Sequence, residues 1–137
     1  VYKRQAKELD CEKSIVLGYR DELFLNEEFE PYGSVYLSSE DGMHGTKGNV
    51  IDAIKACAVT GDIIYACGPT PMLRGIKQYA AEQNIRCEIS LEEKMACGVG
   101  ACLACVCQTK NVDEHSKVHN ARICADGPVF YAEEVEL

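Results

Sequence analysis

The stretch DIIYACGPTPML, residues 62–73, decides the fold. Its first half is a short, nearly unbroken apolar run, the pattern of a strand buried on both faces of a parallel sheet. Its second half opens a helix, with Thr70 expected as N-cap and Pro71 at the first helical position, where a missing N–H costs nothing. A strand running into a helix through Gly68 and Pro69 is half of a βαβ unit.

The same alternation recurs on either side. Residues 14–19 (SIVLGY), 34–38 (SVYLS) and 85–90 (IRCEIS) read as further strands. Residues 70–83 set Leu73, Ile76 and Ala80 in one stripe, and residues 47–58 set Val50, Ala53, Ile54, Cys57 and Ala58 on one helical face. A shorter helix is expected from Asp21 to Phe29, and the tail of another from Tyr2 to Leu9. The fold class is α/β, with a doubly wound parallel sheet. A helix leading straight into a strand implies that the first strand of that sheet stands ahead of Val1.

Near Glu92 the pattern changes. Glycines and cysteines take over, followed by a polar stretch from Gln108 to Asn120 and a last strand-like piece, Pro128 to Tyr131. Two domains are expected: a partial nucleotide-binding α/β domain over residues 1–92 and a small domain over residues 93–137. So short a tail needs a metal or disulfides to hold it. Four of the nine cysteines crowd into residues 97–107, and the odd total fits paired disulfides poorly. A metal cluster in a reducing cytoplasm suits the pattern better.

Cys97, Cys102 and Cys105 have the C-x4-C-x2-C spacing of plant-type [2Fe–2S] proteins. Gly98 and Gly100 allow such a loop to aim backbone N–H groups at sulfur. Cys124 is the expected fourth ligand, because Arg122-Ile-Cys-Ala-Asp-Gly127 returns the chain with a turn signal. Cys107 shares a face with Cys105 and is the other candidate, although a small buried residue is its simpler role. A zinc ribbon would pair two C-x2-C knuckles, and one is present. A Rieske centre would need two histidines beside the cysteines, whereas His115 and His119 read as polar loop residues.

The formal net charge of −8 is scattered along the chain, which argues against nucleic acid and anionic membrane as partners. The apolar runs fall far short of the ~18 residues of a membrane span. No secretion signal opens the sequence. No G-x-G-x-x-G fingerprint follows a strand either. Nucleotide-site candidates are Cys67, Gly68, Pro69 and Met72, at the carboxyl end of a strand where α/β sheets bind ligands. The glycine-rich connection Asp41–Gly48, with Gly42 and Gly45, is a second. Gly18 precedes the acids Asp21 and Glu22, which could bond a ribose 2′-hydroxyl and favour NAD over NADP. Each also has an ordinary reading, as a turn or a helix-starting acid.

Taken together, VLGYRDELFL, SEDGMHGTKGNV, YACGPTPML, SLEEKMACGVGACLACVC and RICADGPVF resemble the electron-transfer subunits of class 1B dihydroorotate dehydrogenases, which are ferredoxin–NADP reductase-like flavoproteins. The resemblance covers nearly the whole chain. It implies an FAD-binding barrel and the first strand and glycine loop of the NAD domain ahead of Val1, so that this piece alone would not bind FAD. It implies electron flow from NADH and FAD through a [2Fe–2S] cluster to FMN in a catalytic partner subunit that interconverts dihydroorotate and orotate in pyrimidine biosynthesis. By the same motifs, Cys67, Gly68 and Pro69 would lie beside the nicotinamide and Asp41, Gly42 and Gly45 along the nucleotide. Cys97, Cys102, Cys105 and Cys124 would hold the cluster, and residues 126–130 would close its domain. No general acid, base or nucleophile is expected, since flavin and nicotinamide carry the hydride chemistry. Two alternatives are a related NAD(P)H-linked ferredoxin or sulfide reductase subunit and a zinc-stabilised interaction module without turnover. An exposed strand edge would invite a second copy, so a homodimer of this piece is expected.

Overall fold

Apolar and β-branched runs form strands because such side chains pack well on a pleated surface, and the early runs here do so. In the computed structural model, which describes residues 2–112 and 117–137, helix α1 (Tyr2–Glu8) leads into strand β1 (Ser14–Tyr19). A one-turn helix α2 (Asn26–Phe29) and a 3-10 turn (Glu30–Tyr32) follow. Then come β2 (Ser34–Ser39), β3 (Thr46–Lys47) and α3 (Val50–Ala56). The three strands form a parallel sheet in sequence order, with Ser14 opposite Ser34 and Tyr19 opposite Ser39. Tyr19, Phe29, Val50 and Ala53 are buried in this part.

Two helix expectations change here. The helix read over residues 47–58 begins at Val50, because Asn49 caps it. Asn49 Oδ1 accepts from the N–H groups of Ile51 and Asp52 at 2.8 and 3.2 Å, and Asp52 Oδ2 accepts from the Asn49 N–H at 2.8 Å. Asp21 to Phe29 is not one helix. The Tyr19 hydroxyl donates to the Phe24 carbonyl, the two rings meet edge-on with centroids 5.2 Å apart, and Leu25 has a left-handed φ of 61°. The chain is thereby folded back over Tyr19, and helix starts only at Asn26.

Residues from Asp62 onward build β4 (Ile63–Cys67), α4 (Thr70–Gln83) and β5 (Arg86–Ser90), a βαβ unit with parallel strands. α4 buries Leu73, Ile76 and Ala80, the stripe that the spacing predicts. Its N-cap is Pro69 rather than Thr70, since the Met72 and Leu73 N–H groups donate to the Pro69 carbonyl at 2.9 and 3.1 Å. Asn84, at φ 55°, ends the helix in the left-handed conformation usual for such caps.

The cysteine-rich tail adds β6 (Val106–Thr109), β7 (Asn120–Arg122), β8 (Val129–Tyr131) and β9 (Val135–Glu136). β8 pairs antiparallel with β5, placing Phe130 opposite Ile89, while β7, β6 and β9 make a small antiparallel sheet. The tail buries Cys105, Ile123, Ala132 and Val135, so it has a nucleus of its own that its composition did not announce. His119 is exposed, and His115 lies outside the described residues.

The chain packs as two compact units, Val1–Gly61 and Asp62–Leu137. β4, α4 and β5 therefore group with the tail. β1 and β4 belong to separate sheets and each has one strand neighbour. Both strands are expected to be buried on both faces; instead Ile15, Val16 and Leu17 are half-buried and Ile63 and Tyr65 exposed. The α/β class with parallel ladders holds.

Candidate metal centre

Leu91, buried at the end of β5, is followed by a loop without regular structure that reaches Cys105 just before β6. Gly98 and Gly100 turn this loop with φ of 68° and 82°, conformations that cost little only for glycine. Leu103 adopts φ 57°, which is rare for a bulky residue and marks a backbone dictated by its surroundings. No sequence signal would have singled out Leu103.

The loop directs main-chain donors at sulfur. The Val99 N–H donates to Cys97 Sγ at 3.5 Å. The N–H groups of Val99 and Cys102, then the Cys102 thiol, hold the Cys97 thiol down at about 6. Cys124 enters from the far side on the turn after β7. Its thiol donates to Cys105, which holds it above the ordinary thiol range, while the Gly100 N–H pulls the other way. Cys97 thus interacts with Cys102, and Cys124 with both Cys105 and Cys97. Cys107 is in the middle of β6, opposite Ala121, with its thiol pushed up by burial.

Among the described residues no three His, Cys, Asp or Glu side chains converge as ligands of one ion would. A structural zinc gathers four ligands on one centre, whereas a two-iron cluster divides its thiolates between the irons. Glycine turns and a main-chain N–H donor on sulfur suit the latter. Cys97, Cys102, Cys105 and Cys124 could hold it.

The nucleotide-site candidates fall into both units. Cys67 ends β4 opposite Ser90, and burial followed by the Glu92 charge pushes its thiol up. Gly68, Pro69 and Met72 form the adjoining turn, with the Met72 side chain folded over Gly68. In the other unit, Gly18 backs onto Val50 near the end of β1. Asp41 is engaged in its own turn: Oδ1 accepts the Met43 N–H at 2.9 Å, which together with the Ser39 hydroxyl holds its carboxyl below the usual range. Ser39 also braces the loop that contains Gly42 and Gly45, its carbonyl accepting from Gly42 and Gly48 and its hydroxyl from the His44 N–H. Asp21 and Glu22 are exposed and line a cavity of about 470 Å3 with Gly18, Tyr19, Arg20 and Phe24. Sequence reasoning missed Ser38, which is fully buried beside Gly18 with no hydrogen-bond partner for its hydroxyl among the described residues.

Residues 92–136 match the family described as the iron–sulfur cluster binding domain of dihydroorotate dehydrogenase B. Over 131 residues the chain is 45% identical to the dihydroorotate dehydrogenase B (NAD(+)) electron transfer subunit of Caldanaerobacter subterraneus, a match that covers 95% of this chain and 52% of that subunit. The chain is similar in sequence to these electron transfer subunits. The corresponding subunit of Fusobacterium nucleatum is 43% identical over 129 residues, covering 90% of this chain and 47% of its own length. A solved NADH-dependent reduced ferredoxin-NADP oxidoreductase, studied for flavin-based electron bifurcation, superposes with a TM-score of 0.82 at 28% identity, over 98% of this chain and 48% of that one. The chain spans about half the length of the curated relatives it matches. The resemblance carried by the motifs holds, as does the reductase-like α/β architecture. No helix among the described residues is long and apolar enough to cross a membrane.

Proposed function

We propose that this chain is part of an electron transfer subunit that takes electrons from NADH, by way of FAD held elsewhere in the full-length protein, to a [2Fe–2S] cluster and on to the FMN of a catalytic dihydroorotate dehydrogenase subunit. The pathway served is pyrimidine biosynthesis in the cytoplasm. The observation that carries this reading is the glycine-turned loop that sets the Val99 N–H on Cys97 Sγ, with the turn of Cys124 bonded to Cys105 through the Ile123 N–H.

The cluster supplies a one-electron way-station when bound. The protein's own part is to hold and tune it. Cys97, Cys102, Cys105 and Cys124 would hold the cluster through their thiolates. The N–H groups of Val99, Cys102 and Gly100 stabilise negative charge on sulfur, which favours the reduced state. Residues 1–92 act as the NAD-binding part and 93–137 as the cluster part. In the first unit Gly18, Asp41, Gly42 and Gly45 serve nucleotide binding, in the second Cys67, Gly68, Pro69 and Met72 do, and Asp21 and Glu22 favour NAD over NADP. No side chain acts as acid, base or nucleophile, so this piece alone turns over no dihydroorotate. The unpaired edges of β1 and β4 favour a homodimer of the piece in isolation. A second reading, an NAD(P)H-linked reductase acting on ferredoxin, is favoured by the similarity to the oxidoreductase structure.

Protein purified without oxygen is expected to be brown, to contain iron and acid-labile sulfide in equal amounts, and to give a [2Fe–2S] EPR signal on reduction. Colourless protein with stoichiometric zinc and no sulfide, also after anaerobic reconstitution, would overturn the reading. Co-purification of the full-length subunit with an FMN protein that oxidises dihydroorotate separates the two electron acceptors.

A further inference from the structure

The turn that presents Cys124 is closed by an ion pair between Arg122 and Asp126. Arg122 Nε donates to Asp126 Oδ2 and Nη2 to Oδ1, both at 2.9 Å, in a fork-to-fork arrangement. Oδ2 also accepts the Arg122 backbone N–H at 2.8 Å, and the Asp126 N–H donates to the Arg122 carbonyl at 2.7 Å. These bonds shut a ring of main chain around Ile123, Cys124 and Ala125. The side chains are 24% and 32% exposed, so the pair is less screened than an ordinary surface pair.

The same guanidinium leans on the other cysteine loop. A Cβ built on Gly100 would lie 3.5 Å from Arg122 Cδ and Nη1 and 3.0 Å from Ala125 Cβ. Gly100 is the residue whose N–H reaches the Cys124 sulfur. One face of Arg122 therefore fixes the turn of the fourth thiol, and its flank meets the loop that carries the other three.

We infer that Arg122 and Asp126 are positioning residues for the iron–sulfur centre: the fork seats Cys124 against the Cys97–Cys105 loop, and the fixed Arg122 charge makes the centre easier to reduce. The inference rests on the [2Fe–2S] reading above. A centre that gains an electron gains negative charge, so a nearby cation favours the reduced form and a nearby carboxylate opposes it. A role confined to holding the fold would loosen the centre without this dependence on sign.

The test reconstitutes the full chain anaerobically with iron and sulfide as wild type, Arg122→Lys, Arg122→Gln and Asp126→Asn. Iron and sulfide content and an EPR-monitored redox titration are then measured. Arg122→Lys keeps the charge but loses the two-point fork, so it should load less cluster at a potential close to wild type. Arg122→Gln should load less and titrate at a more negative potential. A tenfold change in the ratio of oxidised to reduced centre is the expected size, ~59 mV for one electron. Asp126→Asn should move the potential the opposite way. Shifts of the same sign in Arg122→Gln and Asp126→Asn, or wild-type loading and potential in both, would overturn the inference while the cluster reading stands. A wild type that takes up no iron and sulfide overturns both.

Discussion

The backbone N–H of Ile123 donates to the carbonyl of Cys105 at 2.9 Å, so the residue beside the fourth thiol is bonded to the residue bearing the third. Ile123 is 1% exposed and Cys105 2%. The buried side chain thus anchors the returning turn where the loop ends. Ile123→Ala should destabilise the protein by about 2–5 kcal/mol through lost burial and the cavity left behind. Chemical denaturation would measure this, and iron retention should fall in parallel because Cys124 moves with its neighbour.

Cys124 sits on a turn bonded to Cys105 through the Ile123 N–H, whereas Cys107 lies mid-strand opposite Ala121. Cys107→Ser should retain the cluster and its visible spectrum, at a cost of about 1 kcal/mol for placing a hydroxyl in a half-buried site. Cys124→Ser should lose most of the cluster. Iron and sulfide analysis of the two variants decides between the ligands, and a full complement in Cys124→Ser would sink the assignment.

Gly98 and Gly100 share a left-handed backbone but not their surroundings. A Cβ on Gly98 meets nothing within 4 Å, whereas one on Gly100 comes 3.0 Å from Ala125. Gly98→Ala should lose only the conformational preference, about 1–2 kcal/mol. Gly100→Ala should lose more and should also release cluster faster, because it pushes away the turn that bears Cys124. Comparing melting temperatures and cluster-loss rates of the two loaded variants tests the difference.

How much of this was legible in the sequence follows from the length of each signal. β1 and α4 have the extents read for them because an unbroken apolar run and a four-turn stripe are strong, local patterns. β6, β7 and β9 were not read: VCQT, NAR and VE are too short and too polar to show a period, and they become strands by pairing with one another. Asp21 to Phe29 was read as too much helix because the bond from Tyr19 to Phe24 leaves no mark on spacing. The first three cysteines were evident from spacing. The fourth depended on a turn signal, and what seats it, the Arg122–Asp126 fork and the Ile123–Cys105 bond, exists only once β7 lies on β6.

Cys87 gives a pH dependence with a defined sign. It is 7% exposed in β5, and burial, with the Glu88 charge second, pushes its thiol up to about 11. A raised value means that the folded protein favours the neutral thiol. Its contribution is complete below the ordinary thiol range and is lost as pH climbs from about 9 to 11, by an amount on the order of 2 kcal/mol. Urea unfolding across this interval should show wild type losing stability faster than Cys87→Ala. Parallel pH profiles of the two proteins would refute the assignment.

Strand β8 has a consequence for how fast electrons can leave the centre. Tunnelling falls off steeply with separation, and a relay hung on a tether would spread its transit times over many distances. Here the segment carrying the thiols returns to pair Phe130 with Ile89 on β5, the strand beside the one that ends in Cys67. The segment that bears the thiols is therefore tied to the Cys67 end of β4 by a hydrogen-bond ladder of fixed length.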